Sequence, residues 1–355
     1  MGDTWSMGPP ADPLKASMFR TLTRARRQCL AESRCKLSDP RFYNFSRLLL
    51  KNAEHDFGRS HSFMGSDASV GWTNGDFHKQ LQRQTTGASG WNGTNECRPG
   101  GAVPCHFQDM VDSYVEERNW GLVYATEALD DHPLRTEISA ALASLQPERP
   151  DLAGWQRVAD PAKLVDCGRW SIGFNVSTGA VNHLVDSKSG VTWADSKHQL
   201  AEFVYQTFTA HDHNVVYMHE YMSDSSYDPT LGARLNPGFG KPGLNESCPH
   251  CERLDLRTTL QELWAAPSGS GSSCSVGDIV AHGACRRFAL RLGMSAHAHT
   301  DYGAPRELWL HVGVPTAGAR FLIAVDLFDK TPTRIVESSS IRFVPRPAAS
   351  GDLSV

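Results

Sequence analysis

The stretch RWSIGFNVSTGAVNHLVDSKSGVTWAD, residues 169–195, opens the part of the chain in which the sequence pattern changes. Apolar and polar residues alternate along it, and a period of two predicts strands with one buried face. Short turns, Ser-Thr-Gly and Ser-Lys-Ser-Gly, separate the alternating runs. Because turns this short join antiparallel neighbours, the stretch predicts consecutive antiparallel strands.

The same alternation continues toward the carboxyl terminus. Five further segments follow the pattern with turn residues between them and few helical interruptions, which predicts an antiparallel β-sandwich. These segments are LAEFVYQTF (200–208), RRFALRLGMSAHAHT (286–300), RELWLHVGV (306–314), RFLIAVDLF (320–328) and SSIRFVP (339–345).

The chain before residue 150 has helical periodicity instead. Apolar residues recur at three- and four-residue steps, which predicts helices over residues 12–36, about 106–129 and 133–145. Pro13 suits a first helical turn, and Asp12 suits the cap before it. The fold class is therefore α+β, with a helical region over 1–152 and a β-sandwich over 153–355.

Composition limits the kind of partner. The chain has 355 residues, of which 40% are hydrophobic and 21% charged, enough for two globular domains. A net charge of -4 argues against a nucleic-acid partner. No stretch reaches the roughly 18 apolar residues of a membrane helix, and MGDTWSMGPP lacks the pattern of a signal peptide. We therefore expect no nucleic-acid or membrane partner; nothing in the sequence indicates an oligomeric state.

Two features are compatible with the secretory pathway, although the sequence without a signal peptide leaves the localisation unknown. The chain holds nine cysteines, and such a count suits an oxidising compartment. Cys97 and Cys105 are the first candidates for a loop disulfide, and Cys274 and Cys285 are the next. Four Asn-x-Ser/Thr sequons are present, at Asn44, Asn92, Asn175 and Asn245.

Two short motifs invite site hypotheses. The CPHC sequence at 248–251 has the spacing of a thiol oxidoreductase, but the surrounding β-α-β pattern is missing, which favours a local disulfide, a half zinc site or a chance pair. The HAHTD sequence places His297 and His299 two residues apart, on one face of a predicted strand, with Asp301 following. That spacing suits zinc, but an exposed strand end is the favoured interpretation because no third ligand is evident nearby.

A third motif is Glu54-His55-Asp56, which follows a leucine run directly. A carboxylate, an imidazole and a second carboxylate side by side are typical of metal and sugar sites. Zinc takes three or four protein ligands, so the remaining ligands would have to come from elsewhere in the chain.

Six blocks, in order, resemble successive parts of domain-of-unknown-function family 5054, whose members look like distant relatives of the glycoside hydrolase family 38 α-mannosidases. The blocks span nearly the whole chain. They are MGDTWSMGPPADPLKASMFR, KNAEHDFG with GWTNGDFHKQL, EERNWGLVYATEALDDHPL, FNVSTGAVNHLVDSKSGVTWADSKHQLAEFVYQTFTA, GFGKPGL and LFDKTPTRIVESSSIRFVP.

This resemblance implies a zinc-dependent retaining glycosidase plan with a helical bundle and a mutarotase-like β-sandwich. In that plan His55 corresponds to a zinc ligand and Asp56 to an acceptor of sugar hydroxyls, although Glu54 stands where the family has a histidine. Asp3 and Trp5 are placed to line the sugar pocket, Trp5 by stacking on a pyranose.

The strands that carry the other zinc ligands and the nucleophile in the mannosidases have no counterpart here. We therefore expect the carboxyl-terminal portion of an α-mannosidase-like protein, with zinc as a vestigial cofactor, carbohydrate as the partner and no hydrolysis by the chain alone. The alternative is a non-catalytic carbohydrate-binding or scaffold module made of the sandwich.

Overall fold

The structure is a computed structural model, and it describes residues 13–53, 78, 119–212, 251–267, 273–276, 279–318, 320–333 and 335–346. These residues fall into two compact units. One unit contains the described residues up to Gln146 together with a short helix at Ala210–Asp212. The other contains 147–209 and the described residues from 251 onward.

The first unit is helical. Its elements are α1 (Pro13–Ala31), α2 (Pro40–Leu49), a 3-10 turn (Leu50–Ala53), α3 (Val123–Glu127), α4 (Pro133–Ala143) and α5 (Ala210–Asp212).

Proline and a capping side chain begin two of these helices. The carboxylate of Asp39 accepts the Arg41 backbone N–H and starts α2 at Pro40. His132 does the same for α4, where its Nδ1 accepts the Leu134 N–H at 3.1 Å ahead of Pro133. Such caps satisfy backbone donors that have no partner inside the helix.

The helices predicted over 12–36 and 133–145 are confirmed within a few residues at each end, whereas α2 was not predicted. Of the helix predicted over 106–129, the structure describes only the end, where α3 lies. The helices enclose an apolar core formed by residues such as Leu22, Phe42, Phe45, Leu122, Leu129 and Ile138.

The second unit is built from antiparallel strands. These are β1 (Gln156–Arg157), β2 (Val165–Asp166), β3 (Trp170–Phe174), β4 (Val181–Asp186), β5 (Thr192–Ala194), β6 (Glu202–Thr207), β7 (Leu254–Arg257), β8 (Thr259–Ala265), β9 (Ser273–Val276), β10 (Ile279–His282), β11 (Cys285–Gly293), β12 (Glu307–Pro315), β13 (Leu322–Phe328) and β14 (Glu337–Arg342).

The strands form several antiparallel sheets. A five-stranded sheet has the order β1-β8-β11-β12-β13, a four-stranded sheet β2-β3-β4-β5 and a three-stranded sheet β14-β6-β7, while β9 and β10 form a hairpin. The mixed α+β class and the sandwich-like antiparallel sheets are thus confirmed.

Residues 169–195 form the strands that their alternation predicts. They supply β3, β4 and β5, which pair as antiparallel neighbours. Gly179 and Gly190 occupy the turns with φ of 81° and 72°, a conformation that favours glycine. A side chain at Gly179 would also collide with Leu292 of β11, so this turn packs directly on the five-stranded sheet.

The inner faces of the two larger sheets meet in an apolar core. Phe174 of β3 and Phe288 of β11 lie edge to face with ring centroids 5.2 Å apart. Ile172, Leu290 and Leu310 are buried around them. This packing of one sheet face on another is the sandwich arrangement.

The strand predicted over 286–300 is correct only in its first part. β11 ends at Gly293, and Ser295 then caps a helix, α6 (Ala296–Tyr302), by accepting the Ala298 N–H. Gly303 ends this helix with φ 75°. The local capping signal, serine before the helix and glycine after it, outweighs the short alternation of histidine and alanine.

Disulfides occur in both units. Cys274–Cys285 is confirmed, and it ties the β9-β10 hairpin to the start of β11. Cys29–Cys35, at the end of α1, was not predicted. Cys251 is also disulfide-bonded, and Cys167 is the free cysteine among the described residues.

Tyr205 of β6 is fully buried, and its hydroxyl contacts two other segments of the unit. Its hydroxyl contacts the Glu337 carboxylate and the Tyr302 backbone oxygen, the latter at 2.7 Å. Burial, followed by the nearby Glu337 charge, raises the pKa of this phenol far above its usual value. Tyr205 thus joins the three-stranded sheet to α6.

Candidate functional site

The residues that the family resemblance assigns to a sugar-and-zinc site lie outside the described part of the chain. This holds for Asp3, Trp5, His55 and Asp56 alike. It also holds for Cys97, Cys105 and Cys248. Their roles therefore stay predictions.

The HAHTD motif is described, and its side chains do not converge. On helix α6 residues two apart point in different directions. His297 donates from Nδ1 to Asp301 Oδ2 at 2.6 Å, whereas His299 donates from Nδ1 to the Ala304 backbone oxygen at 2.7 Å. The prediction that the two histidines share one strand face is wrong.

Zinc does not fit the donors that the structure describes. Within the described ranges, no group of three or more His, Cys, Asp and Glu side chains could hold a metal ion. Structural and catalytic zinc sites both use at least three protein ligands.

A charged cleft of about 590 Å³ lies between the end of α1 and the start of α2. Its guanidinium groups are already paired. Arg34 binds Glu137 at 2.6 Å, and Arg41 binds Asp39 at 2.7 Å. The hydrogen bond from Arg41 lowers the pKa of Asp39 to about 2. Both guanidinium groups of the cleft are thus neutralised by carboxylates.

A charge network with a buried carboxylate is on the outer face of the five-stranded sheet. Glu307 is only 9% exposed and accepts from Arg149 Nε at 2.7 Å, Arg291 Nε at 2.9 Å and Trp309 Nε1 at 3.1 Å. Burial raises the pKa of Glu307, but these donors together hold it below its usual value. Both carboxylate oxygens are satisfied, so this network stabilises the sheet.

An exposed tryptophan marks a different surface, at the edge strand β5. Trp193 is 39% exposed, and the buried Ala194 separates it from Asp195. The β4–β5 pairing has a bulge here: Leu184 pairs with Ala194 and Val185 with Thr192, which leaves Trp193 as the extra residue of β5. Trp193 and Asp195 are both partly exposed to solvent. The backbone N–H of Arg346 donates to the Trp193 oxygen at 2.9 Å and brings the arginine beside them.

Asp195, two residues from Trp193, is paired with a histidine and an arginine. Asp195 Oδ1 accepts from His198 Nδ1 at 2.9 Å, and Asp195 Oδ2 lies 3.7 Å from Arg346 Nε. With Nδ1 as the donor, the neutral imidazole of His198 presents Nε2 as an acceptor. We call Trp193, Asp195, His198 and Arg346 the Trp193 surface.

The Asp195 carboxylate stays ionised on this surface. Partial burial raises its pKa, but hydrogen bonds from the backbone N–H groups of His198 and Lys197 and from the His198 ring outweigh that effect and lower it. The Trp193 surface thus combines a fixed negative acceptor, guanidinium donors and an apolar ring at the same edge of the sheet.

Sequence reasoning missed the Trp193 surface. A tryptophan in an alternating segment is typical of a core position, and Trp193 was not singled out. Alternation could not have found it, because a bulge in the β4–β5 pairing makes Trp193 the extra residue of β5.

The fold defines a mixed α+β protein whose candidate ligand surface is on sandwich-like antiparallel sheets. The chain belongs to the family described as Domain of unknown function (DUF5054), whose model matches residues 10–320. No curated protein matches it significantly. Among the helices that the structure describes, none is both long and apolar enough to cross a membrane.

Proposed function

We propose that this chain binds carbohydrate through its sandwich-like unit and does not hydrolyse it. The observation that carries the proposal is the exposed indole of Trp193, two residues from an Asp195 carboxylate that pairs with His198 and Arg346. A pyranose has an apolar C–H face and a rim of hydroxyls that both donate and accept hydrogen bonds. The Trp193 surface offers an indole ring for the C–H face and both acceptors and donors for the hydroxyls.

Each polar member of the Trp193 surface has a distinct part in this proposal. Asp195 Oδ2 accepts a sugar hydroxyl proton, Arg346 donates to a hydroxyl oxygen, and His198 Nε2 accepts from a neighbouring hydroxyl. The hydrogen bonds that fix the Asp195 side chain are present without a ligand. Because the side chain is already immobilised, less conformational entropy is lost on binding.

The resemblance to glycoside hydrolase family 38 α-mannosidases supports the choice of sugar. It relates the sandwich to a mutarotase-like domain in a carbohydrate-active protein, and it makes α-mannosides the first ligands to test. The resemblance carries one zinc ligand, His55, and no nucleophile to this chain, which is why binding without hydrolysis is proposed.

The test is binding of α-mannosyl oligosaccharides, found on a glycan array and measured by titration calorimetry. We expect Trp193→Ala to weaken the affinity roughly tenfold or more, as truncation of an aromatic anchor does. Trp120→Ala is the matched control, because Trp120 is 46% exposed in the helical unit. An array without a bound glycan, or equal affinities for the two variants, would overturn the proposal.

The absence of hydrolysis is tested separately. Purified chain is expected to leave an aryl α-mannoside intact. Turnover that disappears in His55→Ala would instead show a working active site and contradict this part of the proposal.

A further inference from the structure

The structure distinguishes two sequons that look alike in the sequence. Asn44-Phe45-Ser46 lies on α2, and Asn175-Val176-Ser177 lies in the turn after β3. The surroundings of the two carboxamides differ.

Asn44 lies on the solvent side of its helix. α2 buries Phe42, Phe45, Ser46 and Leu49, while Asn44 is exposed. A bulky group on its Nδ2 would extend into solvent without displacing a core side chain.

Asn175 is half-buried, and both the oxygen and the nitrogen of its carboxamide form hydrogen bonds. Oδ1 accepts the backbone N–H groups of Ser177 and Thr178 at 2.8 and 3.2 Å. Nδ2 donates to Gln199 Oε1 at 3.1 Å. A substituent on this nitrogen would crowd Gln199 and the turn that joins β3 to β4.

The disulfides supply the second, independent observation. Cys29–Cys35, Cys274–Cys285 and the bonded Cys251 occur in both units, and Cys167 is the free thiol of the described residues. Disulfides persist in oxidising compartments and are rare in the cytosol. The eukaryotic secretory lumen is such a compartment, and it is where sequons are modified.

We infer that Asn44 is an N-glycosylation site and that chains which fold and are secreted carry no glycan on Asn175, because a glycan there would disrupt the turn between β3 and β4. The donor is an oligosaccharide linked to a lipid pyrophosphate. Asn44 Nδ2 forms a bond to the anomeric carbon, the bond from that carbon to the pyrophosphate oxygen breaks, Nδ2 loses one proton, and the lipid pyrophosphate leaves. No electrons are transferred.

The packing of Ser46 indicates when the glycan is added to Asn44. The Ser46 hydroxyl is buried and accepts from Arg26 Nε of α1 at 2.9 Å. The transferase must reach this hydroxyl together with Asn44, so the glycan is added before α2 packs on α1, during entry into the secretory lumen.

The experiment expresses the full chain behind a cleavable secretion leader in a eukaryotic cell line. Both the secreted chain and the chain retained in the membrane fraction are digested and mapped by mass spectrometry. We expect most Asn44 peptides to carry a glycan, and peptide N-glycosidase F to convert that residue to aspartate. Asn44→Gln should remove the corresponding gel shift, and Asn175→Gln, the matched control, should leave it.

Unmodified Asn44 in both pools would overturn the inference, and so would a secreted chain with a higher glycan occupancy at Asn175 than at Asn44. Neither result depends on the Trp193 surface, so the inference and the proposed sugar binding succeed or fail separately.

Discussion

Glu307 and Asp195 are two carboxylates of the same unit, and their surroundings differ. Glu307 is 9% exposed, and its oxygens are taken by Arg149, Arg291 and Trp309. Asp195 is about one-third exposed, has one oxygen 3.7 Å from Arg346, and lies two residues from an exposed indole. A carboxylate whose oxygens all accept hydrogen bonds from the protein stabilises the fold. A carboxylate with an oxygen that can accept a further hydrogen bond, near an aromatic ring, can bind a ligand.

The largest expected effect is on stability. Glu307→Ala leaves the donors of Arg149, Arg291 and Trp309 without their acceptor, and we expect a loss of about 2–3 kcal/mol in the free energy of unfolding. Urea denaturation followed by circular dichroism measures it. Glycan affinity of the folded variant should not change; a loss below about 0.5 kcal/mol would show that the network is not stabilising.

Acidification tests the same network. The pKa of Glu307 is lower in the folded chain than the usual value of about 4.3 in the unfolded chain. Its stabilising contribution is therefore complete above about pH 4.3 and is lost as the pH falls through the folded pKa. The difference in urea midpoint between wild type and Glu307→Gln should shrink below about pH 4; a constant difference down to pH 2 would contradict the assignment.

Asp195→Asn should act on binding. It keeps the size of the side chain and removes the charge that accepts a hydroxyl, so we expect affinity for the bound glycan to fall roughly fivefold, about 1 kcal/mol. Lys197→Ala is the control, since only the backbone N–H of Lys197 contacts Asp195. Equal affinity for Asp195→Asn and wild type would remove Asp195 from the proposed surface.

The smallest expected effect is that of Trp193→Ala on stability. A partly exposed side chain on an edge strand contributes little to the core, so the free energy of unfolding should change by less than about 0.5 kcal/mol. Thermal and urea unfolding would show it. A loss above about 2 kcal/mol would mean that the indole supports the fold, and the contrast with Glu307 would disappear.

Much of the fold could be predicted because local signals and tertiary packing agree. The alternation and glycine turns of 169–195 coincide with β3, β4 and β5, and Pro13 and Pro133 coincide with helix starts. HAHTD was mistaken for a strand because the serine cap and terminal glycine were not weighed against the alternation. Asp39-Pro40 carried the same kind of signal for α2, and it was overlooked.

The sites were harder to predict than the fold. Cys274–Cys285 could be predicted because its two cysteines are only 11 residues apart in a glycine- and serine-rich segment. Cys29–Cys35 could not, because Cys29 lies inside a helical pattern and the turn at Ser33, with φ 58°, is what brings the sulfurs together. The Trp193 surface joins residues from β5 and from the segment after β14, and such long-range neighbours leave no spacing rule in the sequence.

The burial of Tyr205 gives the protein an internal spectroscopic reporter. Exposed phenols ionise near pH 10 and change their ultraviolet absorption, whereas the pKa of Tyr205 lies far above that range. In an alkaline titration this ring should stay silent while the exposed tyrosines respond. Its delayed absorption step would then record the moment at which β6 separates from β14 and α6, without any added dye or label.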